Sequence, residues 1–544
     1  MPTPDLPDLP RLPHLPLDGL LRRAALRAPG APALVVGART LTFGELDARV
    51  DRIAAYLECS VGRRGARVAV VNTLDAEFAA AYYATVRSGN TVVVLNPLLS
   101  PVRTAKVLAA AGAELAFAPR AVAETLCALP DRPESLSLIL VTGAEDGADL
   151  CGAAVPLDLV LDAVAPAAGS TAPRPAVTVD LDAEACVQFT TGTTASPKGV
   201  RLTHRNLVAN AVQTALAHRL GEDSTTLNHL PLYQPMHLNS AVYAGACQVL
   251  CPDPDPLDSF ALAERAGATH YYALPARLHH LVADERLRGG GPLPGLPAGP
   301  RLTAVLSGGS ALDPAAARAL AERLGVPVVQ GYGMTELSPL THCQRLDGPT
   351  GTGSVGAPVP GTGCRVVHPD TGAPLAPGES GEVQVRGPQL MAGYLGRAEP
   401  PAGPDGWFST GDVGRIGPDG ELFLVDRLGD VFLHDGELVS PSAVERILGC
   451  DPRVAECAVV GWPDTVHGAV TWAGIVLRDP GAAGADPAPV LEQIAARANE
   501  RLAPYERIRR VEAIDAVPRT PVGKPVRGVL RRSVRTRAAA EATV

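Results

Sequence analysis

From residue 67 to residue 96 the chain reads "RVAVVNTLDAEFAAAYYATVRSGNTVVVLN", two short β-branched blocks on either side of an Ala-rich stretch. This alternation recurs along the first part of the chain and constrains the fold more than any other feature. A strand, a helix and a strand in succession pack as an open, largely parallel sheet covered by helices. The fold class expected is therefore α/β, with a large N-terminal body of βα layers.

The pattern then changes. "TGCRVVHPDTGAPLAPGESGEVQVRG" and "DGELFLVDR" are short strands joined by Pro-Asp, Asp-Gly and Glu-Ser-Gly turns, which predicts an antiparallel strand subdomain. Beyond "DRLGD", the segments "VERILGC", "VAECAVVGW", "VTWAGIVL", "VLEQIAARANERL" and "VEAIDAV" alternate helix and strand, enough chain for a compact α+β domain. The expected organisation is a disordered Pro-rich arm over 1–19, a large domain over 20–428, a small mobile domain over 429–532 and a disordered tail over 533–544. The arm is expected because its repeated Leu-Pro steps fix φ and remove backbone donors.

Composition narrows the function classes. With 544 residues, 46% apolar and 19% charged, the chain has the make-up of a globular protein with more than one core. A net charge of −9 argues against a general nucleic-acid binder but not against a local anion pocket. No basic start precedes an apolar block and no apolar run is long enough to span a bilayer, so a cytoplasmic protein without a membrane partner is expected. The ten cysteines form no CxxC pair and read as reduced, packed thiols rather than zinc ligands. Of the 48 basic residues only Lys106, Lys198 and Lys524 are lysines, and the last two stand in loops rich in Gly, Pro and Thr. There a compact ammonium on a thin stem can act where a broad guanidinium cannot.

In "ACVQFTTGTTASPKGVRLTH" a short apolar strand ends at Phe189, and a loop follows with Thr190, Thr191, Gly192, Thr193, Thr194 and Lys198. Small residues let backbone N–H groups approach an anion, the hydroxyls add donors and the ammonium adds charge, a set suited to a polyphosphate. The lysine precedes a glycine and follows a proline, unlike the Gly-Lys-Ser/Thr loop of the nucleoside triphosphatases. "QGYGMTE", residues 330–336, directly follows the apolar run "VPVV" and so sits at the carboxyl end of a strand, where open α/β sheets bind ligands. Thr335 offers a donor to phosphate, and Glu336 a carboxylate of the kind that holds magnesium.

Together "FTTGTTASPKGV", "GYGMTE", "WFSTGD", "DRLGD" and "PRTPVGKPVR" resemble, in order and spacing, the motifs of the adenylate-forming enzymes: acyl- and aryl-CoA ligases, peptide-synthetase adenylation domains and luciferases. The resemblance covers about residues 20 to 532. It implies that Thr190 to Thr194 and Lys198 form a mobile phosphate loop, and that Gly308, Gly309 and Ser310 with Gly331 and Tyr332 hold adenine. It further implies Asp412 and Arg427 at the ribose, Thr335 at the α-phosphate and Glu336 at Mg²⁺. Lys524 would reach from the small domain to the reacting carboxylate and α-phosphate, with Gly429 as the pivot between two domain arrangements. The implied reaction consumes ATP and a carboxylic acid, forms an acyl-AMP and releases pyrophosphate, and CoA is the expected acceptor.

"LPLYQPMHLNS" and the Gln330 before "GYG" are similar to the hydroxycinnamate and related aryl-CoA ligases. A pocket of Gln234, Met236, Ser240, Leu306 and Gly333 suits a flat, fairly apolar aryl or arylacryl acid. Gln234 stands where relatives usually carry His, and Leu433 where Lys is frequent. These departures keep other acceptors open: a carrier-protein phosphopantetheine, or nitrite with an aromatic amine. A non-catalytic nucleotide-binding protein is the alternative from another class. His237, His279 and His280 have no carboxylate spaced to orient them, and Cys186 has no basic partner in sequence, so none is expected to be catalytic. The Arg- and Ala-rich, lysine-poor composition suggests a GC-rich bacterial source, where such ligases serve natural-product pathways.

Overall fold

A computed structural model describes residues 8–129, 131–144, 150–163, 179–190, 197–229, 235–252, 255–285, 301–479, 481, 486–519 and 525–541. The chain divides into two compact units, one of Met1–Gly363 with Val385–Phe408 and the other of Cys364–Gln384 with Ser409–Val544.

Among the described residues the first unit carries a nine-stranded and an eight-stranded sheet. The opening motif lies in the second: Arg67–Val71 pairs in parallel with Thr91–Leu95, residue for residue from Arg67 and Thr91 to Val71 and Leu95. The intervening helix Ala76–Arg87 starts where the Asp75 carboxylate accepts the Phe78 N–H at 2.8 Å. Val71, Val93, Leu108, Ile139 and Val141 are part of the core under this sheet. In the nine-stranded sheet Ala304–Ser307 lies parallel between His270–Ala273 and Val328–Gly333. The α/β reading of the large body therefore holds, and "VPVV" does lead into a strand.

The second unit is built on two sheets with helices packed on them. The Pro-Asp and Asp-Gly turns close a four-stranded sheet of Gly363–Val367, Gly381–Arg386, Phe408–Ile416 and Leu422–Arg427. A five-stranded sheet follows, in which Val454–Asp464 and Gly468–Leu477 form a long antiparallel pair and Ile508–Ala513 adds in parallel. Helices Pro441–Leu448 and Ala488–Asn499 cover it through Val444, Leu448, Leu491 and Ile494.

Packing corrects three expectations. Residues 8–18 are not a loose arm: Leu17 is fully buried, its N–H donates to His204 Nδ1 at 3.1 Å, and Asp18 pairs with Arg87 at 3.1 Å. Prolines forbid a helix there but do not prevent leucines from docking. The C-terminal stretch is a helix, Arg527–Glu541, because Leu530, Val534 and Ala538 recur every four residues and pack with Trp462 and Trp472. Cys127 and Cys151 are joined in a disulfide rather than reduced, brought together from positions 24 apart in sequence. Among the described residues no helix is long and apolar enough to cross a membrane.

Candidate active site

In the first unit the strands Glu184–Thr190 and Lys198–Thr203 form an antiparallel hairpin with Thr190 opposite Lys198. These two residues bracket the predicted phosphate loop; Thr191, Gly192, Thr193 and Thr194 lie outside the described residues. The short strand Gly393–Tyr394 adds to the outer edge, with Tyr394 opposite Val200. The Lys198 ammonium thereby comes within 5.4 Å of the centre of the Tyr394 ring, a cation–π distance.

The same tyrosine donates its hydroxyl to Glu336 Oε1 at 2.9 Å. Glu336 sits on a 3-10 turn, Thr335–Leu337, directly after the strand Val328–Gly333. The turn is fixed from both ends: Met391 N donates to the Glu336 carbonyl at 2.9 Å, and Ser338, at φ +70°, donates its hydroxyl to the Gln389 carbonyl at 2.8 Å. Burial, with the neighbouring Glu336 carboxylate, pushes the Tyr394 phenol well above its usual pKa, so it remains a donor. Sequence reasoning missed Tyr394; its signal was an aromatic flanked by Gly in "MAGYLG", in a chain with only 4% aromatics.

The predicted adenine residues also converge. Because Ser307 is paired with Gln330, the segment Gly308–Ser310 leaves its strand beside Gly331–Gly333. A Cβ on Gly308 would stand 3.6 Å from the Gly331 carbonyl oxygen, and one on Gly331 would meet Leu340 at 3.1 Å. Gly333 admits no side chain, since a Cβ would fall 2.0 Å from the Pro339 carbonyl oxygen. At Gly308, Gly331 and Gly333 the two segments present backbone to one another, which permits their close approach. The donor set fits a magnesium nucleotide: one carboxylate at Glu336 suits an ion that keeps most of its ligands as water and phosphate oxygen, and Lys198 would supply the compensating cation.

The predicted acid-pocket residues are placed less uniformly. Met236 opens the helix Met236–Ala244 and packs against a cluster of Leu340, Cys343 and Val359. Leu306 is buried with Tyr272, Ala304 and Val329. Ser240 is fully buried, and its hydroxyl donates to the His237 carbonyl at 3.2 Å. Gln234 lies outside the described residues. The His237 ring lies tilted against the Tyr272 ring with centroids 4.0 Å apart, and burial lowers its pKa to about 4, hence neutral. Cys186 is buried and its thiol is pushed far up by desolvation, so it carries no nucleophile.

In the second unit Asp412 and Arg427 face one another across the antiparallel pair Phe408–Ile416 and Leu422–Arg427, with Arg427 Nε 2.7 Å from Asp412 Oδ1. Asp412 is buried, whereas the Arg427 side chain is 58% exposed. Gly429 follows in a turn where Asp430 N donates to the Arg427 carbonyl at 2.8 Å. Lys524 lies outside the described residues, but the chain around it is anchored: Arg519 bridges to Pro525, and Val526 N donates to the Pro518 carbonyl at 2.7 Å. Next comes Arg527, whose guanidinium reaches Glu445 Oε1 at 2.9 Å, Ser442 Oγ at 2.7 Å and Asp426 and Asp430 at 3.4 Å each.

Comparison with known proteins identifies the family. The family model described as AMP-binding enzyme matches residues 21–395, and the one described as AMP-binding enzyme C-terminal domain matches 443–524. The 4-coumarate–CoA ligase 5 of Oryza sativa subsp. japonica is 32% identical, over 96% of this chain and 94% of that protein. A feruloyl-CoA synthase of Amycolatopsis sp is also 32% identical, over 94% and 97%. The crystal structure of ATP-bound MatB from Rhodopseudomonas palustris superposes with a TM-score of 0.79 at 26% identity, covering 95% of this chain and 99% of that one. Two family matches that together span most of the chain, with relatives named as CoA ligases and synthetases, lead to one conclusion: this chain belongs to the AMP-binding enzyme family and is an AMP-forming ligase.

Proposed function

We propose that the protein activates an aryl or arylacryl carboxylic acid with ATP and Mg²⁺ and transfers the acyl group to CoA. An acid carboxylate oxygen attacks the α-phosphorus, the bond to the β-phosphate bridging oxygen breaks, and pyrophosphate leaves. The CoA thiolate then attacks the acyl carbon, and AMP departs with the former carboxylate oxygen. The observation that carries this reading is the convergence of Lys198 and Glu336 on Tyr394. A cation and a metal-binding carboxylate on one short stretch of surface are what a triphosphate requires.

Within this reading Lys198 and the threonine loop hold the phosphates, Thr335 binds the α-phosphate, and the glycines with Tyr332 hold adenine. Bound Mg²⁺ would supply positive charge to the phosphate oxygens at Glu336. Asp412 and Arg427 take the ribose hydroxyls. Lys524 neutralises charge on the attacked phosphate, and Gly429 serves as the pivot that lets it withdraw before thiol transfer. The aromatic class of acid is supported by relatives named for 4-coumarate and ferulate. A cytoplasmic setting and a place in natural-product biosynthesis are part of the same reading.

The test is acid-dependent release of AMP and pyrophosphate across a panel of aryl, arylacryl and fatty acids, each with and without CoA. The expected outcome is AMP release with an aromatic acid and a thioester when CoA is present. AMP release without any thioester, or only with fatty acids, overturns the acceptor or the acid class respectively.

A further inference from the structure

In the second unit two turns meet. The strand Phe432–His434 pairs with Gly468–Leu477 so that His434 stands opposite Gly468. This sets the turn at Asp435–Gly436 against the turn that ends the strand Val454–Asp464. Asp435 N donates to the His467 carbonyl at 3.1 Å, and Asp464 Oδ1 accepts the N–H groups of Val466 at 2.9 Å and His467 at 2.8 Å. The result is a rigid frame around three side chains whose ligand atoms all lie within 4.8 Å of one another: His434, Asp435 and His467.

We infer that His434, Asp435 and His467 bind one divalent transition-metal ion of the Zn²⁺ class, through His434 Nε2, an Asp435 carboxylate oxygen and His467 Nδ1. Three features carry this. His434 Nδ1 lies 2.8 Å from the Ala469 carbonyl oxygen, to which it must donate. That bond occupies Nδ1 and leaves Nε2 as the ring nitrogen on the Asp435 side, the arrangement that orients metal-bound imidazoles. Second, His434 Nε2 is 3.7 Å from Asp435 Oδ2, too long for a hydrogen bond, while His467 Nδ1 is 2.8 Å from Oδ1. Metal–nitrogen and metal–oxygen bonds of about 2.0 to 2.2 Å put tetrahedral donors roughly 3.3 Å apart, so separations of at most 4.8 Å close on an ion with about 1.5 Å of side-chain movement. Third, His434 is buried, whereas Asp435 and His467 keep side-chain exposures of 56% and 42%, which leaves an entry path and room for water as the fourth ligand.

Two imidazoles and one carboxylate favour Zn²⁺, Ni²⁺ or Cu²⁺ over Mg²⁺ or Ca²⁺, which prefer all-oxygen sites. The residues belong to neither the phosphate cradle nor the ribose pair. An ion there ties the hairpin Phe432–Val439 to the turn between the two longest strands of this unit, and so raises its resistance to unfolding.

The experiment is equilibrium dialysis of the full-length, tag-free protein against Zn²⁺, with Co²⁺ absorption to report the ligand type. One saturable site with a nitrogen–oxygen Co²⁺ spectrum is expected, together with a rise in Tm on adding Zn²⁺. His434→Ala and His467→Gln should each weaken binding by about tenfold or more and abolish the Tm rise. Cys59→Ser and Cys450→Ser, at the exposed thiols, should leave binding unchanged. Because His467 lies on a turn at the surface, the Gln variant keeps the test valid if the buried His434→Ala fails to fold. No saturable site, a thiolate-type Co²⁺ spectrum, or equal binding in the folded His467→Gln variant overturns the assignment.

Discussion

Tyr394 donates its hydroxyl to Glu336 Oε1 across 2.9 Å while the Lys198 ammonium lies 5.4 Å from the centre of its ring, so one phenol sets the distance between a cation and a carboxylate far apart in sequence. Removing the hydroxyl with Tyr394→Phe deletes a hydrogen bond to a charged group, worth about 1.5 to 3 kcal/mol. The expected result is a fall of roughly tenfold to a hundredfold in kcat/KM for AMP formation, with a higher Mg²⁺ requirement. Steady-state kinetics against Mg²⁺ concentration check this; an unchanged Mg²⁺ requirement would separate Tyr394 from metal binding.

Two glycines predict opposite outcomes. A Cβ at Gly333 meets the Pro339 carbonyl oxygen at 2.0 Å, whereas one at Gly429 meets nothing within 4 Å. Gly333→Ala is therefore expected to destabilise the first unit by about 1 to 3 kcal/mol or more, seen as a lower Tm. Gly429→Ala should leave Tm unchanged. If Gly429 is the pivot, the same variant slows overall thioester formation while leaving acid-dependent pyrophosphate release in single turnover nearly intact.

Arg527 is 10% exposed and touches carboxylates of Glu445, Asp426 and Asp430. Arg527→Met leaves these acids without their cation, and breaking such a buried network costs about 3 to 5 kcal/mol. Chemical denaturation should show early unfolding of the second unit, with Arg527→Lys intermediate because an ammonium lacks the planar fork. Equal midpoints for wild type and the Met variant would contradict the network's importance.

Three buried histidines of the first unit are held neutral by desolvation: His204 at about 4, His229 at about 3 and His342 at about 3. Unfolded, each takes a proton near pH 6.5. Below that pH the unfolded chain binds more protons than the native one, so stability falls as pH drops from about 6.5 towards 4. Each group contributes about 1.4 kcal/mol per pH unit in that window. Thermal unfolding between pH 7 and 5 should show a declining Tm, and a flat profile would refute the burial of these rings.

Much of the architecture was written locally. Strand and helix of the βα unit follow from apolar runs, from Asp75 as an N-cap and from the Thr42 and Glu45 capping box that starts the helix Phe43–Val61, all set by near neighbours. The loop chemistry around Lys198 and the strand-end position of "GYGMTE" were equally visible, because both depend on short-range pattern. The chain ends were misread for the opposite reason. Leu17 and Val534 are buried by partners distant in sequence, and no local rule about proline or arginine reports on them.

The sequence by itself determined the alternating elements, the order of the motifs and the residue types around Lys198 and Glu336, since each depends on side chains within a few positions of one another. Only the tertiary structure decided that Tyr394 joins Lys198 to Glu336, that Arg427 pairs with Asp412, and that His434 and His467 share Asp435. Those relationships are fixed by strand register and by which edges pair. Register is a property of whole sheets packed in a core, not of any stretch of chain read alone.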